Sequence, residues 1–236
     1  MTFSAPPEMT TAITDGIFGL VAVFLGYKLK HRFISDKQRL PLRIKMWQIV
    51  FYTIGASALF GVPAHAIHEI AGTNPPNIQA QTYYWIFLGF FLGLMITALA
   101  STVLLDLFGE RAFRKSAIIM IVTGIGYFFL YFITAFFKLI EGYFIIFVLY
   151  SALVMLFALV SYIVLFFQRT KTGYMIIALG IVVAISGSIL QALRTISINV
   201  IWEFDYNSIY HIFMIAAVIL FYYGIIRSDD NDYIES

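Results

Sequence analysis

Seven apolar stretches of about 20 residues follow one another along this chain, and no other feature limits its fold as strongly. They run over Thr11–Leu29, Trp47–Ile70, Tyr83–Leu107, Ala117–Phe137, Tyr143–Phe167, Gly173–Thr195 and Ser208–Ile226. A helix rises about 1.5 Å per residue, so each stretch spans the roughly 30 Å hydrocarbon core of a bilayer. Membrane strands are about 10 residues long and alternate in polarity, which excludes a β-barrel. The expected fold is therefore all-α, an integral membrane bundle of seven transmembrane helices forming one domain over residues 1–236. Composition agrees: 61% of residues are apolar and 12% charged, against about 25% charged in soluble domains.

The loops give an orientation. Lys28, Lys30, Arg32, Lys37, Arg39, Arg43 and Lys45 cluster after the first stretch, Arg111, Arg114 and Lys115 after the third, Arg169 and Lys171 after the fifth, and Arg227 after the seventh. The opposite side holds only Lys138 and Arg194. Lys and Arg stay on the cytoplasmic side. Seven crossings then put the N-terminus outside and a short acidic tail, 227–236, in the cytoplasm. Met1–Thr10 lacks the basic start of a cleaved signal, so the first stretch is read as a retained helix. The expected location is the plasma (inner) membrane of a bacterium, with membrane lipids as neighbours. A net charge of +2 gives no reason to expect a nucleic-acid partner, and the sequence leaves the oligomeric state open.

A charge at membrane depth costs about 2.5–3.5 kcal/mol on insertion scales, so such residues mark function. Asp15 lies one turn into the first helix, on a stripe with Gly19, Ala22 and Gly26. The second helix carries Ser57, Gly61, His65 and His68 on one stripe, with Pro63 expected to kink it. The sixth ends in Gln191 and Arg194, and the seventh begins with Asn207 and His211. A stripe of Thr123, Tyr127, Tyr131 and Thr134 on the fourth helix is read as lining the same interior. Asp106 reads as an interfacial charge near Arg111.

Two chemistries remain open at this outer cluster. In the first, His65, His68 and His211 hold zinc with water in the fourth position, where its pKa falls to near 7. Asp15 is then base or ligand support, and Ser57 stabilises an oxyanion. In the second, the cavity is non-catalytic, and Gln191, Arg194, Asn207 and Tyr131 help bind a lipid or small molecule for sensing or transport. The last helix has no lysine, so a retinal Schiff base is excluded. Gly-rich nucleotide loops are absent as well.

With these residues in view, the chain resembles the superfamily of alkaline ceramidases and adiponectin-receptor-like proteins, seven-helix membrane hydrolases. That resemblance implies zinc held by three histidines and cleavage of a lipid amide or ester. The family pattern is Ser-x-x-x-His in helix 2, Asp near the start of helix 3 and His-x-x-x-His in helix 7. Here Gly61 stands four residues after Ser57, His65 follows one turn later, and Asn207 replaces the first histidine of the pair ending in His211. No Asp lies between Glu69 and Leu105, which leaves Asp15 or Asp205 to replace it. The pattern Thr14-Asp15, Gly61…His65 and Asn207…Tyr210-His211 is also similar to an uncharacterised bacterial seven-helix membrane family.

Overall fold

The computed structural model describes residues 7–33, 40–70, 78–137, 145–194, 196–199 and 203–229. Six helices form the body: α1 (Pro7–Phe33), α2 (Leu42–Ile70), α3 (Ile78–Phe136), α4 (Ile145–Arg169), α5 (Thr172–Leu193) and α6 (Tyr206–Asp229). A two-residue ribbon, β1 (Ile198–Asn199) against β2 (Glu203–Phe204), lies between α5 and α6. All six helices are long and apolar enough to cross a membrane. The protein is a multi-pass, all-helical membrane protein.

Six elements, rather than seven, arise because the stretches Tyr83–Leu107 and Ala117–Phe137 belong to one helical element. Its 59 residues would reach about 88 Å if straight, nearly three hydrocarbon thicknesses. Gly109, at φ 77° and ψ 173°, breaks it. A side chain at that φ is strained, and glycine is not. The two legs then run side by side in opposite directions. Tyr131 donates its hydroxyl to the Trp85 carbonyl at 3.1 Å, and Tyr127 donates to the Gly89 carbonyl at 3.2 Å. Closer to the turn, Gly124 lies against Thr97. The polar stripe of the second leg is thus spent within α3. Tyr127, Tyr131 and Thr134 are buried there, while Thr123 is exposed.

Glycines set the other contacts. A Cβ on Gly55 of α2 would stand 3.0 Å from the Gly19 carbonyl oxygen of α1. In the α5–α6 pair, Gly173 abuts the Gly224 backbone, Gly180 faces Phe221 and Gly187 faces Phe213. Such seams let helix backbones approach closely where lipid supplies no hydrophobic drive for association. Trp47, Phe51, Tyr162 and Phe221 fill the middle of the bundle.

The helices also outrun their apolar stretches. α1 includes Lys28, Lys30 and Arg32, and α2 includes Arg43 and Lys45. α6 continues through Asp229, so the start of the expected acidic tail is helical. α2 runs on through Pro63 as one element.

Candidate functional site

The start of α1, the end of α2, the start of α3 and the start of α6 meet at one end of the bundle, termed proximal here. Asp15 is buried there, 5% exposed, between two imidazoles. Its Oδ1 lies 3.1 Å from His211 Nε2, and its Oδ2 lies 3.8 Å from His65 Nε2. The space for the carboxylate comes from Gly61, where the three atoms nearest to an added Cβ all belong to Asp15. The glycine that departs from the Ser-x-x-x-His pattern is the place Asp15 occupies.

His211 is held on both ring nitrogens. While Nε2 faces Asp15, Nδ1 lies 3.0 Å from the Thr14 hydroxyl. A neutral imidazole has one donor and one acceptor nitrogen. Thr14 has one hydroxyl hydrogen, and the Thr10 and Thr11 carbonyls, at 3.1 and 2.9 Å, compete with Nδ1 for it. Phe18 stacks along the His211 ring, with centroids 6.2 Å apart. His65 presents its ring to Trp85 edge-on, at 5.5 Å. Its side chain is 12% exposed, against 7% for His211 and Asp15, so His65 is the side of the cluster nearest the surroundings.

A second joint secures the same end. Asp205 caps α6, accepting from the Ser208 backbone N–H at 2.8 Å and from the Ser208 hydroxyl at 2.7 Å. Thr11 of α1 donates to the same oxygen at 3.0 Å. An oxygen at this position satisfies helix N–H groups that have no partner within the helix. Sequence reasoning missed Thr11, and it named Thr14 and Asp205 only through the family resemblances; the signals for their roles were Asp205-x-x-Ser208 at a helix start and the threonines beside Asp15.

The other expected site residues fall around this core or away from it. Gln191 donates to Asn207 Oδ1 at 3.0 Å, joining α5 to α6. Arg194 is exposed, in a left-handed C-cap of α5. Tyr131 donates to the carbonyl of Trp85, the residue whose ring meets His65. Ser57 is buried and donates its hydroxyl to the Ile54 carbonyl at 2.8 Å. His68 is on the last turns of α2, and its side chain lies outside the described residues. Thr10, one turn before Thr14, has a buried hydroxyl with no hydrogen-bond partner among the described residues.

The expected zinc set of His65, His68 and His211 is not assembled among the described side chains, since that of His68 lies outside them. Among the described residues, no three His, Asp or Glu side chains form a group able to hold a metal ion. His211 has its nitrogens directed to Asp15 and Thr14, and the carboxylate stands between the two imidazoles.

The opposite, distal end holds a second buried network. Arg43 of α2 grips Asp106 of α3 in a fork, Nε to Oδ1 at 2.6 Å and Nη2 to Oδ2 at 3.2 Å. It also donates to Asp229 Oδ1 and Ser228 Oγ of α6, each at 2.9 Å. Tyr162 of α4 donates to Asp106 Oδ2 at 3.1 Å, and Arg169 donates to the Asp106 carbonyl at 2.8 Å. The expectation that Asp106 is an interfacial charge near Arg111 is therefore corrected. Asp106 is buried, and its partner is 63 residues away in sequence.

Between the two ends, several buried polar groups serve their own helices. Thr53, Ser57, Ser101 and Thr102 return their hydroxyls to carbonyls three or four residues back. Gln48 donates to the Gly26 carbonyl.

A family model matches residues 10–230, nearly the whole chain and both polar ends. The chain belongs to the family of unknown function DUF6962. DUF6962 membership carries no activity with it, so the chemistry rests on the residues. No curated protein matches the chain.

Proposed function

We propose that this DUF6962 protein is a non-catalytic membrane receptor whose proximal cluster binds a small hydrogen-bonding ligand, protons included, from outside the cell. The observation that carries the reading is Asp15 held between His65 and His211 in a space opened by Gly61. A buried carboxylate with two imidazoles is expensive at membrane depth, and such groups are kept for function. The unpartnered Thr10 hydroxyl leaves a donor and an acceptor for a guest or water. The hydrolase alternative finds less support. Ser57 donates to its own helix, and the described donors do not form a zinc site.

Binding fits better than transport. A carrier's site opens to both sides, through broken helices near the midplane. Here the cluster sits at one end, and buried apolar residues including Phe51 and Phe221 lie between it and the other.

In this reading the hairpin of α3 crosses the bilayer twice, giving seven crossings. The exposed Arg111 and Lys115 at its turn and the Lys and Arg bias support a cytoplasmic turn in this reading. The N-terminus and the proximal cluster then face outside, across a bacterial plasma membrane.

Cysteine labelling tests this directly, since the chain has no cysteine. A membrane-impermeant thiol reagent applied to intact cells is expected to modify His65→Cys but not Ser57→Cys, two turns deeper. Arg227→Cys is expected to react only after the inner face is exposed. Labelling of Arg227→Cys in intact cells overturns the orientation. A His65→Cys that resists the reagent from both faces overturns the open site.

A further inference from the structure

We propose that the Arg43 network is a releasable latch, and that α6 carries the state of the proximal cluster to it. The inference rests on the binding reading above and adds an output to it. Its basis is that α6 has a polar joint at each end. Near its start, His211 contacts Asp15 and Thr14, and Ser208 and Asp205 meet Thr11, all on α1. At its end, Ser228 and Asp229 meet Arg43 on α2. From His211 to Asp229 the helix spans about 27 Å at 1.5 Å per residue. α6 is unbroken over that length, so a tilt or slide at one end reaches the other.

The two halves of the Arg43 network are unequal, and this makes it a latch rather than a rivet. The half towards α3 is a two-bond fork onto a carboxylate 2% exposed, held also by Tyr162. Towards α6, Arg43 donates one bond to Asp229, 18% exposed, and one to the Ser228 hydroxyl. If Arg43 lets go of α6, its charge is still answered by the Asp106 fork. The reverse exchange would strand Asp106 in the interior.

The seam between α5 and α6 permits such movement as a pair. It is built from Gly173, Gly180, Gly187 and Gly224, and Lys171 of α5 donates to the Ser228 carbonyl at 3.1 Å. A ligand that draws Asp15 away from His211 relaxes the proximal joint, and the end of α6 leaves Arg43. Coupling of this kind needs an element with two arrangements that both sites bias. Latched and unlatched α6 is that element.

The test places nitroxide labels at two exposed positions, Lys45→Cys on α2 and Arg227→Cys on α6, in the full chain in lipid nanodiscs. Pulsed electron–electron resonance reads the distance between them. The otherwise unsubstituted protein is expected to give one main distance. Asp229→Asn, which leaves the Arg43–Asp106 fork intact, is expected to add a longer component, displaced by about 5 Å, one helical turn. His211→Ala, at the far end of α6, is expected to add the same component. Arg43→Gln serves as a third variant if it folds, and Asp229→Asn answers the question if it does not. A His211→Ala distribution identical to the parent overturns the proposal, as does an Asp229→Asn distribution identical to the parent. The distances are read without ligand. A negative result here therefore leaves the labelling of His65→Cys standing, and failure of that labelling leaves the distances standing.

Discussion

Asp106→Ala lowers the stability of the folded protein by about 3–5 kcal/mol, the range for breaking a buried ion pair by removing one partner. The loss is large because the Asp106 carboxylate serves two side chains at once. Arg43 loses its fork, the Tyr162 hydroxyl loses its acceptor, and α2, α3 and α4 lose their shared post. Arg43 is left 14% exposed with only Asp229 and Ser228 to answer its charge. The double variant Arg43→Met/Asp106→Leu is expected to be more stable than Asp106→Ala, because it removes both charges and refills the volume. Equilibrium unfolding in mixed micelles, with helicity as the signal, measures both. A loss below about 1 kcal/mol for Asp106→Ala, the level of an exposed pair, rules out the buried network.

Gly61→Val disrupts the proximal cluster and costs about 1–3 kcal/mol, the usual price of overfilling a packed interior. The three atoms nearest to an added Cβ at Gly61 all belong to the Asp15 carboxylate, the closest at 2.2 Å, so Asp15 must leave His65 and His211. This gives a sharper outcome than a stability loss alone. In an Asp15→Gly background the obstruction is gone, and Gly61→Val is expected to be nearly neutral. Neighbouring sites depart from additivity in this way, by about 0.5–3 kcal/mol. Unfolding free energies of the two single variants and the double variant give the coupling. Equal cost of Gly61→Val in both backgrounds means that Asp15 does not sit over Gly61.

These two positions also show how far the sequence could be read. Asp15, His65 and His211 were found from depth and helical spacing, because a charged or imidazole side chain on a membrane helix must face protein. Gly61 was noted only as a departure from a motif. Its role is steric and depends on a residue 46 positions earlier, so no local pattern reveals it. Arg43 was counted among the loop charges because it precedes the apolar run of α2. Helices continue past the hydrocarbon core, and Arg43 lies inside one. Its partner Asp106 was visible as a carboxylate near the end of an apolar stretch, but the pairing joins α2 to α3 across 63 residues and has no sequence period. The apolar runs located every helix body. They missed the continuity of α3, since Gly109 bends the chain without ending the helical hydrogen bonding around it. The short ribbon before α6 was also missed, because two-residue strands leave no alternation to detect.

The direct test of the proximal site is nuclear magnetic resonance of the protein in lipid, with 15N-labelled histidine and 13C-labelled aspartate. The chain has only four histidines, and His211→Gln identifies the signals of interest. The expected spectrum shows a through-space contact between His211 Nε2 and the Asp15 carboxyl carbon. That contact is expected to vanish in Gly61→Val. A His211 whose Nε2 shows no contact with Asp15 contradicts a site built on Asp15 held between two histidines.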